Sequence, residues 1–321
     1  MSAYTPTPGV AAALVAALAV VLALGLAIDR LSPHRRLARI LAWTLVVAAI
    51  VFSERITSAE PAGVRMLAVI GMLLYSMKAL VSIESEKRLG ALRWLAFAAL
   101  WPGMRPGLFA RAGGPRRDGA WKLVRAGTVR LAIGIALIAA SRAVWLLTGS
   151  RVAATVSMLP GLSLVLHFGL FNLAAGGWRL LGVDASPLFK APMLSTSLAE
   201  FWGRRWNLAF SEMTATGIYR PLSGVAGKPT ALVAAFIASG LFHELAISVP
   251  VKRGFGLPLL YFAIHAALMS IERALEARGK PIGRRAWIGR TWTIFWLVVP
   301  MPILFHPPFL AGAIWPLVGI R

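Results

Sequence analysis

Hydrophobic positions along this chain come in long unbroken blocks separated by short polar stretches. The blocks are too continuous for the alternation of a half-buried strand or for the one-sided stripe of a soluble helix. Uncharged or nearly uncharged runs lie at residues 9–28, 40–53, 64–83, 128–148, 152–177, 229–249, 257–271 and 291–320. About 20 mostly apolar residues make a bilayer-spanning helix, so the pattern predicts about eight transmembrane helices. Lys78 falls inside the third run, and Arg130 and Arg142 inside the fourth, near enough to the ends for their long side chains to snorkel to the interface. The last run is broken by Pro300, Pro302, Pro307 and Pro308. Two shorter stretches, 91–101 and 309–320, predict interfacial or re-entrant helices. The expected fold is an all-α polytopic membrane protein, with residues 1–321 forming a single integral-membrane domain. The first run does not read as a cleavable signal peptide, because its basic residues, Arg30, Arg35 and Arg36, follow it rather than precede it.

Composition supports this picture and narrows it. The chain is 58% hydrophobic and only 14% charged, yet its 34 Lys+Arg against 12 Asp+Glu give a formal charge of +22. A soluble enzyme has about 25% charged residues, and a nucleic-acid binder would have to share its basic surface with long uncharged runs. Neither class fits. With spans alternating, loops 29–39, 84–127, 178–228 and 272–290 carry 25 of the basic residues. The opposite set, 54–65, 149–151, 250–256 and the C-terminal Arg321, carries 6. The positive-inside rule then puts the first set in the cytoplasm and the N-terminus outside. Arg outnumbers Lys 27 to 7 and Ala is abundant, which points to a GC-rich bacterial genome and a bacterial cytoplasmic membrane. The absence of Cys excludes disulfides and thiolate metal sites. No fixed-period repeat is present. The Gly-, Pro- and Arg-rich stretch 101–127 reads as a flexible basic loop on anionic lipid.

In a chain so poor in acids, their positions are informative. Glu244 is the one that lies well inside an apolar stretch, directly after His243 in ALVAAFIASGLFHELAISVP. An ionisable group at membrane depth costs about 2.5–3.5 kcal/mol on insertion scales and marks function by default. If the helix begins near Pro229, His243 lies roughly 21 Å along it at about 1.5 Å per residue. His167 and His265 read as interhelical hydrogen-bonding groups, and His306, among prolines, as a capping or interfacial residue. No pair of His or acids at i, i+4 supports a metal site.

A second constellation is STSLAEFWGRRWNLAFSEMTATGIYRP, residues 195–221. Its charges prevent it from spanning, and its aromatic content fits an interfacial helix with rings at headgroup level. At helical spacing Gly203, Asn207 and Ser211 would share a face, with Arg204 beside them. A lipid-anchoring amphipathic helix is the plainer alternative.

SLAEFWGRRWN closely resembles the signature of plant-type wax synthases, within the membrane-bound O-acyltransferase superfamily. SGLFHELAISVP resembles the active-site histidine segment of that superfamily, including its diacylglycerol and sterol acyltransferases, and IYRP, which follows SLAEFWGRRWN at residues 218–221, is similar to the tail of the signature. Asn207 and His243 are 36 residues apart, similar to the family's spacing. The specific match covers residues 191–250.

The resemblance implies transfer of a long-chain acyl group from acyl-CoA to the hydroxyl of a lipophilic alcohol, with no cofactor beyond the acyl-CoA substrate. A neutral His243 suits the general base, and burial favours that neutral form. With no Cys and no Ser in a nucleophile elbow, direct attack in a ternary complex is expected. Asn207 is the candidate donor to the thioester carbonyl or the acceptor. Adjacent helix residues do not face each other, so Glu244 is expected to pair with an Arg or a polar group of another span rather than orient His243. Ser239, one turn earlier, is the candidate orienting residue, and Gly240 leaves room for a substrate chain or a neighbouring helix. Arg204 and Arg205 are candidates for the coenzyme A phosphates, with Phe201, Trp202 and Trp206 lining the entrance. A different acceptor (diacylglycerol, a sterol or a glycolipid) is the alternative within the class. A transporter or non-catalytic scaffold is the alternative outside it, disfavoured by the single deep acid and the lack of repeat symmetry.

Overall fold

The computed structural model describes residues 3–31 and 34–320; Arg321, counted above with the less basic loops, lies outside them. Most of the described residues are helical, with no strand among them. The long helices are α1 (Pro8–Arg30), α2 (Arg35–Ile56) and α3 (Ala62–Ile83), then after the ten-residue α4 (Ala91–Leu100) the long α5 (Ala120–Thr148). Next come α6 (Arg151–Ser163) and α7 (Phe171–Leu180), joined by a π-helical turn, Leu164–Leu170. The signature region supplies α8 (Leu198–Glu200) and α9 (Leu208–Thr214), followed by α10 (Arg220–Val251), α11 (Leu257–Ala277) and α12 (Ala286–Val298).

Among the described residues, seven helical segments are long and apolar enough to cross a membrane: α1, α2, α3, α5, Arg151–Leu180, Leu208–Val251 and Ala286–Leu304. The seventh expected span, 257–271, does form a helix, α11, but its last turns carry Glu272, Arg273 and Glu276 and it is not among these segments. The run expected over 291–320 ends as an apolar helix at Leu304. After a break at Phe305–His306 a second, short helical run follows without interruption from Pro307 to Leu317, with Pro307 and Pro308 at its start where no backbone N–H is needed, as the short stretch 309–320 predicts. Large apolar side chains on the outer faces of these helices, such as Val15, Val20, Ile135 and Leu147, are exposed, as lipid-facing residues are.

Where the sequence reads as one integral-membrane domain, the contacts divide it into two compact units. One holds α1–α3 with Lys190–Ile314; the other holds Ser85–Phe189 and the C-terminal turn from Trp315. In the second unit, α5 packs along the α6–α7 segment through glycines. A Cβ on Gly134 would lie 2.8 Å from the Gly161 carbonyl oxygen, and one on Gly161 would lie 3.1 Å from that of Gly134. Small residues of this kind let membrane helices approach backbone to backbone. Ser150 caps α6, its hydroxyl accepting the Ala153 N–H at 3.2 Å.

In the first unit, buried charges tie the helices together. Arg65 of α3 is buried, pairs with Glu54 of α2 and donates to the Pro250 carbonyl at the end of α10 (2.6 Å). Lys78 corrects the sequence expectation. It does not snorkel; it is wholly buried, with the charge of Glu212 from α9 acting on it. Glu212 is thus a further acid within an apolar segment, hidden in the sequence by the mixed composition of the signature region.

Candidate active site

The signature region is not the single interfacial helix that its composition suggests. Ser197 caps α8 by accepting the Glu200 N–H (3.0 Å), and the chain then tightens into a π-helical turn, Phe201–Arg205. Asn207 breaks the helix altogether. It adopts the left-handed conformation (φ 41°, ψ 61°), which Asn tolerates better than most residues. Gly203, Asn207 and Ser211 therefore do not lie on one continuous helical face. The break makes Asn207 the cap of α9, its Oδ1 accepting the Phe210 N–H at 3.3 Å. That bond uses the amide oxygen and leaves the NH2 group as donor. Ser211 donates back to the Trp202 carbonyl (2.6 Å), closing the break.

His243 stands in the middle of α10. Its Nδ1 is 2.7 Å from the Ser239 carbonyl oxygen, so Nδ1–H is the donor and the lone pair of a neutral ring resides on Nε2. Ser239 thus orients the ring through its backbone carbonyl. Phe262 of α11 lies against the imidazole, with centroids 4.3 Å apart, and Phe210 meets it edge-on at 5.6 Å. Phe210 links the two signature residues, since its N–H bonds Asn207 and its ring touches His243. Gly240 leaves room for a helix: a Cβ there would lie 2.9 Å from Cα of Leu259 on α11.

Glu244 points elsewhere. Its Oε1 accepts the Leu259 N–H at 3.1 Å in the first turn of α11, where the helix dipole favours a carboxylate. Its Oε2 is buried without a hydrogen-bond partner. Its charge acts on His306, which itself caps the turn at Pro307–Phe309 by accepting the Phe309 N–H through Nδ1 (3.3 Å). Glu244 is thus bonded to the backbone of a neighbouring helix rather than to an arginine.

The residues expected to meet acyl-CoA separate into different environments. Arg205 is held internally. It bonds the Glu200 carboxylate at 2.7 Å and donates to the Lys190 and Ala191 carbonyls, both at 3.3 Å. Partial burial pushes the Glu200 carboxyl up. Hydrogen bonds from the Thr196 N–H, Arg205 and the Thr196 hydroxyl outweigh it and hold that carboxyl below its ordinary value. Arg204 is exposed and makes no hydrogen bond or ion pair among the described residues. Phe201 is buried and stacks on Trp206 at 5.4 Å. Trp202 packs inward on Phe262 and His265, both at 5.5 Å, so it borders the histidine pocket through Phe262. His265 donates through Nδ1 to the Tyr261 carbonyl (2.8 Å). Among the described residues no group of three His or acidic side chains could hold a metal.

One residue of this region escaped the sequence reading. Glu272 of α11 is buried, and its carboxylate accepts the N–H groups of Leu198 (2.8 Å) and Ala199 (3.1 Å) and the indole N–H of Trp292 (2.9 Å). It anchors the start of α8 from 74 residues away. The one sequence signal was an acid directly after an apolar run.

Residues 185–264 match a family model described as the membrane bound O-acyl transferase family. The chain is 33% identical over 144 residues to probable long-chain-alcohol O-fatty-acyltransferase 9 of Arabidopsis thaliana, covering 40% of this chain and 42% of that protein. It is 41% identical over 73 residues to the long-chain-alcohol O-fatty-acyltransferase of Simmondsia chinensis, covering 20% of this chain and 21% of that protein. The chain spans 42% or less of the length of these curated relatives. In the matched stretch it is wax-synthase-like, and with seven apolar helical segments among its described residues it is an integral membrane protein.

Proposed function

We propose that this protein is an acyl-CoA-dependent O-acyltransferase that esterifies a long-chain, lipophilic alcohol, with His243 as general base. The observation that carries the reading is the fixed tautomer of His243: Nδ1 donates to the Ser239 carbonyl, and Nε2 keeps its lone pair in a pocket walled by Phe210 and Phe262. The names and matched residues of the relatives support the reaction class.

The alcohol O–H passes its proton to Nε2 as its oxygen attacks the thioester carbon. The C–S bond then breaks, and the coenzyme A sulfur takes the proton from the imidazolium, so ester and free thiol are the only products. The Asn207 NH2 group is the donor to the oxygen that becomes negative during attack, a contribution of about 3–4 kcal/mol. The N-terminus lies outside a bacterial cytoplasmic membrane, and the arginine-rich loops face the cytoplasm, where acyl-CoA is found.

The test is thiol release by the purified protein given acyl-CoA and a panel of acceptors: long-chain alcohols, diacylglycerol, sterol and glycolipid. His243→Ala is expected to reduce release by about 10²–10⁴-fold. Release undiminished in His243→Ala would refute the base, preference for a different acceptor would refute the alcohol, and no release at all would favour a transporter or scaffold.

A further inference from the structure

Residues 101–119 form a hydrogen-bonded loop, and 120–127 are the first turns of α5. In place of the flexible basic segment that composition suggests, the loop's backbone is pinned to the turn after α7. Gly113 N–H donates to the Leu181 carbonyl (2.9 Å), Arg117 N–H to that of Arg179 (2.9 Å), and Arg117 Nε–H to that of Gly182 (3.0 Å). At Gly182 (φ +84°) a Cβ would lie 2.6 Å from the Gly114 carbonyl oxygen, so the two backbones touch. Arg93 on α4 closes the other side by donating to the Ala110 carbonyl (2.7 Å).

These constraints shape a cleft of about 430 Å³ lined by Arg93, Arg111, Gly113, Gly114, Pro115 and Arg117, together with Ala112. Three guanidinium groups line it and no carboxylate does. The nearby Asp184 is already paired with Arg179 at 2.6 Å. The Arg93 and Arg117 guanidinium groups each donate to one carbonyl and keep other N–H groups available, while the exposed Arg111 guanidinium makes no hydrogen bond or ion pair among the described residues. Like charges gathered around one cleft repel unless an anion lies between them. Guanidinium forks suit tetrahedral phosphate, and the cleft is large enough for a phosphate carried on a larger body.

We infer that this cleft binds a phosphate monoester, borne either by an anionic phospholipid headgroup or by a soluble nucleotide. The site lies within the unit built on α4–α7 and uses none of the residues around His243.

Equilibrium dialysis of the purified full-length chain in neutral detergent tests it with two probes, dihexanoyl phosphatidic acid and 3′,5′-ADP, and with dihexanoyl phosphatidylcholine as control. Saturable binding of either phosphate probe, weakened about tenfold by Arg111→Ala, is the expected result. Binding of phosphatidic acid alone assigns a lipid headgroup, and binding of 3′,5′-ADP alone a nucleotide. Arg111→Lys keeps the charge without the fork and should bind with intermediate affinity; Arg151→Ala, outside the cleft, should bind normally. Saturable binding of neither probe, equal binding of phosphatidylcholine, or unchanged affinity in Arg111→Ala would overturn the inference.

Discussion

Replacing Glu272 with alanine removes three hydrogen bonds at once, from the N–H groups of Leu198 and Ala199 and from the Trp292 indole. A hydrogen bond to a charged group contributes about 1.5–3 kcal/mol. Three such bonds summed would overstate the loss, because they share one carboxylate and water reaches some of the freed donors. An expected destabilisation of about 3–5 kcal/mol follows, the range for breaking a buried charged partnership. Glu272→Gln keeps the shape and one acceptor oxygen but loses the charge and the second acceptor, so about half that loss is expected. The start of α8 leads directly into residues 201–207, so Glu272→Ala should also impair catalysis in the fraction that remains folded. Thermal melts of detergent-solubilised protein, read by loss of the monodisperse peak, measure the first effect, and thiol release per folded molecule measures the second. An alanine variant within about 0.5 kcal/mol of the parent, or a glutamine variant as damaged as the alanine one, would refute the hydrogen-bonding account.

Lys78→Met and Glu212→Gln should be coupled by about 0.5–3 kcal/mol in a double-mutant cycle, because the Glu212 charge acts on the buried Lys78. Because the folded-state Glu200 carboxyl lies below its ordinary value of 4.5, its stabilisation is complete above that pH and is lost as pH falls through the lower folded value. Glu200→Gln should flatten this acid limb in melts recorded as a function of pH. Gly134→Val forces a side chain against the Gly161 backbone and should cost about 1–3 kcal/mol by overpacking, visible as a lower melting temperature.

The amino-acid sequence determined most of what depends on neighbours along the chain. Hydropathy over about 20 residues located the spans, because a bilayer reads each helix independently. The residues around Asn207 and His243 were legible because they lie in two short stretches. Even there, helix-period reasoning failed at Asn207, where the left-handed turn that makes it a cap interrupts the face it was expected to share. Ser239 was found by its i−4 spacing, although its carbonyl, present at any residue, is what holds His243. The tertiary structure decided the rest. Glu272 with Leu198, Lys78 with Glu212, and Glu244 with the first turn of α11 bring together groups that no periodicity relates. A buried charge must find its partner wherever packing puts one, and that choice is made between helices, not within them.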